Sequence, residues 1–212
     1  MALYERQKSG LGQCIDVSLF DAGIAMLHPQ APNWFLSGKD PVPMGNGHPN
    51  ITPYDRFDTA NGQIFLAVGN NKQFKIFCDE LGLDGVAEDV RFVNMADRNT
   101  NRPALNEIVS EALSKVDGKT FAEHLLKIGV PAGPVLSIPE LMNHPHTIHN
   151  QMRVEKDGYE GTGIPIKFSR TPGSVRTAPP VFNGETKTIL REHGYSDDEI
   201  AKLEATGAFP ST

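Results

Sequence analysis

Apolar side chains recur at helical spacing in several separate stretches of this chain. Phe74, Ile76, Phe77 and Leu81 predict a helix over 72–81, and Leu105, Ile108, Val109 and Leu113 predict another over 103–116. A third runs over 121–128, with Thr120 and Glu123 at the spacing of a capping box. Between 54 and 68 the period changes to two. Tyr54 to Thr59 and Gln63 to Val68 alternate, and Ala60-Asn61-Gly62 joins them; Asn-Gly between alternating runs is the strongest short-range hairpin signal. Gln13 to Ser18 alternates as well and reads as a short strand. The helix after it carries Leu19, Phe20, Ile24, Met26 and Leu27, and Pro29 and Pro32 would kink or end it.

Breaks in these patterns divide the chain. Residues 37–53 hold three glycines and four prolines and predict a long loop, which inside a compact domain is usually functional. Gly129-Val130-Pro131-Ala132-Gly133-Pro134 is a second sharp break. A short helix near 138–143 precedes a strand at 152–156 that turns at Asp157-Gly158 or a little later, with 164–168 as its expected partner. Residues 170–184 are Pro-rich and irregular. Helices follow at 187–191 and 197–205, the second with a Ser196/Glu199 capping box and Gly207 just past its last turn. Residues 1–9 read as the tail of a helix stopped by Ser9-Gly10, with no N-cap before it, which raises the expectation of a truncated chain. The class expected is α+β, with antiparallel hairpins between packed helices. Three parts are expected: 1–36, 37–150 and 151–212.

Composition narrows the partners. Lys and Arg total 20 against 26 Asp and Glu, a net charge of −6, and no basic run is interleaved with aromatics, so nucleic acid is not an expected partner. No apolar stretch approaches the roughly 18 residues that span a bilayer, and no membrane partner is expected. Cys14 and Cys78 sit far apart among apolar residues and read as two buried free thiols in a reducing cytoplasm.

Five segments in order resemble family III CoA-transferases of the CaiB/BaiF type. They are Arg6-Gln7-Lys8-Ser9-Gly10-Leu11-Gly12-Gln13 with Ile15 to Asp21; Gly45-Asn46-Gly47-His48-Pro49-Asn50-Ile51-Thr52-Pro53-Tyr54; Ala67 to Phe74; Gly129 to Val135; and Arg176 to Pro180. No single one is specific, but their order covers almost the whole chain. Near 182–186 the family's usual Leu-Gly-x-His-Thr is replaced by Phe182-Asn183-Gly184-Glu185-Thr186, which removes any role for that His.

The resemblance implies an enzyme that moves coenzyme A between an acyl thioester and a carboxylic acid. The thioester is the substrate, and no permanently bound cofactor is implied. The family's catalytic Asp lies upstream of the first motif, so no catalytic residue falls in this chain, which alone would be inactive. The other half would come from a full-length homodimer or from a partner amino-terminal half. Gly45, Asn46, Gly47 and His48 would form a lid: the glycines supply backbone freedom and N–H donors, and Asn46 and His48 touch the acyl carboxylate. The loop looks more like that of members handling dicarboxylic acyl-CoAs.

Read without the family, the same loop is a surface turn. Asp16 and Asp21 read as a strand residue and a first-turn helix residue rather than nucleophiles. His144, His146 and His149 fit no helix face well enough for a metal site. Tyr54 and Phe57 read as hairpin or core contacts, and Asn70 and Asn71 as helix caps. Two other functions stay open: a 2-methylacyl-CoA racemase, which exchanges an α-proton on the same fold, and a non-catalytic remnant that only binds another subunit.

Overall fold

The structure is a computed structural model, described over residues 1–209. It is α+β and divides into two compact units, Met1–Val135 and the chain from Leu136 onward.

The first unit is built on a hairpin. β1 (Tyr54–Thr59) pairs antiparallel with β2 (Gly62–Ala67), with Phe57 opposite Ile64. Ile64 and Leu66 on β2 and Val68 just beyond it are fully buried, so one face of the pleat makes the core. A third strand, β3 (Ala132–Pro134), pairs antiparallel with β2. The break expected over 129–134 is therefore a strand edge. Its pairing partner lies about 70 residues back along the chain, and no local pattern announces it.

Helices cover the sheet. α4 (Asn71–Leu81) buries Phe74, Phe77 and Cys78, and α6 (Arg102–Leu113) buries Leu105, Val109 and Leu113 at every fourth position. α7 (Gly118–Lys127) buries Ala122 and Leu125. It starts earlier than Thr120. Asp117 is the N-cap and accepts from the Thr120 N–H at 2.8 Å, so the Thr120/Glu123 box does not form. Gly118 in the first turn packs on Thr59, whose Oγ1 lies within 3 Å of where a Cβ would stand.

Residues 1–51 contribute no buried side chain. α1 (Ala2–Ser9) ends at Gly10 with φ 75°, as expected. Residues 13–18 form no strand. Alternation supplies only one half of a ladder, and among the described residues nothing pairs with it; Ile15 and Val17 are 67% and 80% exposed. α2 (Leu19–Ala25) is capped by Ser18. α3 (Gln30–Ser37) follows, with Pro32 in its first turn, where a missing N–H costs nothing. α5 (Met95–Thr100) has no apolar period and was not expected; Asn94 caps it through the Asp97 N–H.

In the second unit, α8 (Ile138–Met142) carries a capping box from Ser137 and Glu140, and α9 (Pro145–His149) follows it. β4 (Arg153–Lys156) pairs with β5 (Tyr159–Thr162), not with 164–168. The turn closes in two residues because Asp157 and Gly158 both take positive φ, 51° and 78°. α10 (Thr186–Glu192) and α11 (Asp197–Ala205) complete the unit. Ser196 and Glu199 cap the latter, and Ile200 is its buried residue.

Candidate functional site

The glycine loop lies on the first unit, between α3 and β1. Gly45 takes φ 60°, a left-handed conformation that suits glycine, and both Gly45 and Asn46 are exposed. A Cβ on Gly45 would meet nothing within 4 Å. Gly47 differs. Its N–H donates to the Met44 carbonyl at 3.0 Å, and a Cβ there would lie 3.1 Å from Asp55 Oδ2 and 3.2 Å from Met44 O. The Gly47 N–H is thus spent inside the loop in this conformation. At Gly47 the glycine therefore serves close packing more than conformational freedom.

From His48 onward the loop is tied down. The His48 N–H donates to Tyr54 O at 3.1 Å, and the His48 ring lies 5.1 Å from the Tyr54 ring. Arg102 Nη2 donates to His48 O at 2.8 Å, to Pro49 O at 3.4 Å and to Asn99 Oδ1 at 3.0 Å. Asn99 Nδ2 donates to Asn50 O at 2.7 Å, and the Thr52 hydroxyl donates to Asn99 Oδ1 at 2.7 Å. Asn50 and Asn33 exchange amide hydrogen bonds at 3.0 Å in both directions. The tip is two residues, Gly45 and Asn46; the shoulder, 48–52, is anchored to α5 and α6.

Beneath the shoulder sits Arg98, fully buried. Its Nε donates to Thr52 O at 3.0 Å, Nη1 to Phe92 O at 2.8 Å and Nη2 to Asn71 Oδ1 at 2.8 Å. Its guanidinium carbon stands 4.4 Å from the centre of the Phe74 ring. Asn71 is therefore an acceptor for Arg98, and Asn70 alone caps α4.

His48 is half-buried. Its pKa is lowered from the ordinary histidine value, first by desolvation, then by the positive charge of Arg102 and by His28. Its Nδ1 accepts the Asn50 N–H at 3.1 Å. A neutral ring can do that only with its proton on Nε2.

Other singled-out residues stand elsewhere. Asp21 lies in the first turn of α2, and Asp16 accepts from the Cys14 thiol. Phe57 is core, and Tyr54 packs its edge on Phe65. Cys14 is exposed, against expectation, because its segment has no sheet to join; Cys78 is buried. His144 caps α9, accepting the His146 N–H, and His146 meets Asn150. No group of three potential metal ligands comes together among the described residues. Sequence reasoning missed Arg98, Asn99 and Arg102. Their one signal is a polar run, Asn94 to Arg102, set between two stretches that supply the core.

The sequence profile of CoA-transferase family III matches residues 1–186, and the chain belongs to that family. Among its relatives are an acetyl-CoA:oxalate CoA-transferase of Acetobacter aceti, 38% identical over 79% of this chain and 43% of that protein, and a succinate–glutarate CoA-transferase of Agrobacterium fabrum, 34% identical over 90% and 49%. A CAIB/BAIF family protein from Brucella suis superposes with a TM-score of 0.73 at 35% identity, over 90% of this chain and 50% of that one. The chain spans about half the length of the relatives it matches.

Proposed function

We propose that this chain forms part of an acyl-CoA:carboxylate CoA-transferase and works with polypeptide outside it that supplies the nucleophilic Asp. The observation that carries this reading is the 34–38% identity to enzymes named for CoA transfer to oxalate and glutarate. The loop's construction is consistent with it: an exposed Gly45-Asn46 tip on a shoulder fixed by Arg102 and Asn99.

In the reaction, the Asp carboxylate attacks the thioester carbonyl, giving an acyl–aspartyl anhydride and CoA thiolate. The thiolate attacks the aspartyl carbonyl, releasing the donor acid and leaving an aspartyl thioester. The acceptor carboxylate attacks that thioester and displaces the thiolate, which then attacks the acceptor's acyl carbonyl and restores the Asp. Both anhydrides hydrolyse readily, so a lid that excludes water favours transfer. The tip Gly45-Asn46 would close, and Asn46 and His48 would meet the acyl carboxylate. The acceptor class is a small dicarboxylate, as in the names of both relatives.

Leu3, Leu11, Val17, Leu19, Phe20 and Phe35 in residues 1–36 are all exposed, which fits packing against that further polypeptide, from the same chain type or a partner. The test is co-expression with the half of the Acetobacter aceti relative that this chain does not match, followed by an acyl-CoA exchange assay. Transfer from acetyl-CoA to oxalate supports the reading. A stable complex that only epimerises 2-methylacyl-CoA would favour the racemase, and a complex without either activity the non-catalytic role.

A further inference from the structure

Asn-Gly occurs at Asn46-Gly47, Asn61-Gly62 and Asn183-Gly184. In this pair the backbone nitrogen after the Asn is the least shielded, because glycine has no Cβ. Once hydroxide has taken its proton, that nitrogen can attack the Asn Cγ. The N–Cγ bond forms, the Cγ–Nδ2 bond breaks, and the amide nitrogen takes a proton from water and leaves as ammonia. Water then opens the cyclic imide at either carbonyl and leaves Asp or isoaspartate. Nothing is oxidised or reduced, and water is the only co-reactant. In a folded chain the rate depends on how firmly the Asn amide and the Gly backbone are held.

The three pairs are held differently. Asn61 Nδ2 donates to Asp117 Oδ2, and its Oδ1 accepts the Gly118 N–H at 3.0 Å. Gly62 stands in the hairpin ladder opposite Thr59. Asn183 is half-buried with φ 64°, and the Gly184 N–H donates to Val181 O at 2.9 Å. Asn46 is exposed, and its amide has no hydrogen-bond partner among the described residues. One bond closes its turn, from the Gly47 N–H to Met44 O at 3.0 Å.

We propose that Asn46 is a modification site, at which the tip of the glycine loop loses ammonia and becomes Asp or isoaspartate, while α7 protects the same pair at Asn61. The product sets a carboxylate next to Gly47, against which Asp55 already lies. Isoaspartate also lengthens the backbone just before that closely packed glycine. One consequence rests on the transferase reading: the tip would carry a negative charge towards an acyl carboxylate, so transfer should fall as the chain ages.

The modification is tested on the chain alone. Folded chain is incubated in H₂¹⁸O at mildly alkaline pH and body temperature, and ¹⁸O uptake at each Asn-Gly is followed by peptide mapping and mass spectrometry. Asn46 should convert about tenfold or more faster than Asn61, whose two side-chain hydrogen bonds must break first. Asn183 should also fall behind Asn46. In urea the three rates should converge. Asn46 converting no faster than Asn61 in the folded chain, or a gap that persists in urea, overturns the proposal. For the consequence, transfer by the reconstituted pair should decline with the converted fraction of Asn46, and Asn46→Asp should reproduce the loss. Undiminished transfer by converted chain overturns the consequence alone. Absence of transfer by fresh chain is a failure of the transferase reading, with the ¹⁸O result still deciding the modification.

Discussion

Arg98 donates to three oxygens and to Met95 Sδ from one buried guanidinium, and none of these partners is a carboxylate. Its charge is balanced by two backbone carbonyls, the Asn71 side-chain oxygen and the Phe74 ring. Removing it would strand the Thr52 and Phe92 carbonyls in the interior, at about 1–3 kcal/mol for each. Arg98→Met should therefore lower the unfolding free energy by about 2–5 kcal/mol in urea titrations. A loss under about 1 kcal/mol would mean that those carbonyls find other partners. In sequence this residue is one of two arginines in a polar run, and nothing there separates a buried arginine from a solvated one; burial is decided by the helices that close over it.

The cysteines separate at the same scale. Burial pushes the Cys78 thiol up to about 12, while Cys14 is exposed. With a disulfide reagent near neutral pH, one thiol should react at once and the second only on unfolding. Because the folded state keeps the Cys78 proton where an unfolded thiol loses it, stability should fall as pH rises from about 9 towards 12. For His48 the sign is opposite. Its lowered pKa means that the unfolded state takes up the proton first, so stability should decline as pH falls below about 6.5. Replacing His48 with Gln should remove that part of the acid sensitivity.

At the scale of elements, what the sequence carried locally is what could be read from it. The Asn-Gly hairpin, α4, α6 and the Ser196 cap each depend on residues within a few positions of one another, and each forms. β3 depends on β2, and the 13–18 segment would depend on a neighbour that the described residues lack; both readings went astray because pairing is a tertiary fact. The loop was legible as a loop from its glycines and prolines. Its anchoring was not, since Arg102 and Asn99 reach it from about 50 residues away. The start of α7 offers a check. Asp117 caps it, its pKa is lowered chiefly by the hydrogen bonds from Thr120, and its other oxygen meets Asn61 in the hairpin turn. Asp117→Ala should lower the midpoint of thermal unfolding, and Gly118→Ala, which drives a methyl into Thr59, should cost about 1–3 kcal/mol of stability. A neutral Gly118→Ala would show that the first turn can shift away from the hairpin.

At the scale of the molecule, the two halves of the first unit contrast. From Thr52 to Pro134 the chain builds a sheet and helices around a fully buried core. From Met1 to Ile51 it buries nothing, yet presents Phe20, Trp34, Phe35 and Leu36 to solvent. An apolar surface of that size fits the contact with further polypeptide that the proposed transferase requires, and the chain spans about half the length of the relatives it matches. The order of family segments was readable because each is a run of neighbouring residues, whereas the surface they leave unpaired emerges only once the chain is folded.

The most direct test of the account is CoA transfer measured for this chain alone and for the chain joined by the complementary half, with acetyl-CoA as donor, labelled oxalate or glutarate as acceptor, and mass spectrometry of the acyl-CoA products. The account predicts no labelled acyl-CoA from the chain alone and turnover from the pair, lost when the Asp nucleophile of the added half becomes Ala. Transfer by the chain alone, or a well-formed pair that transfers nothing, would contradict it.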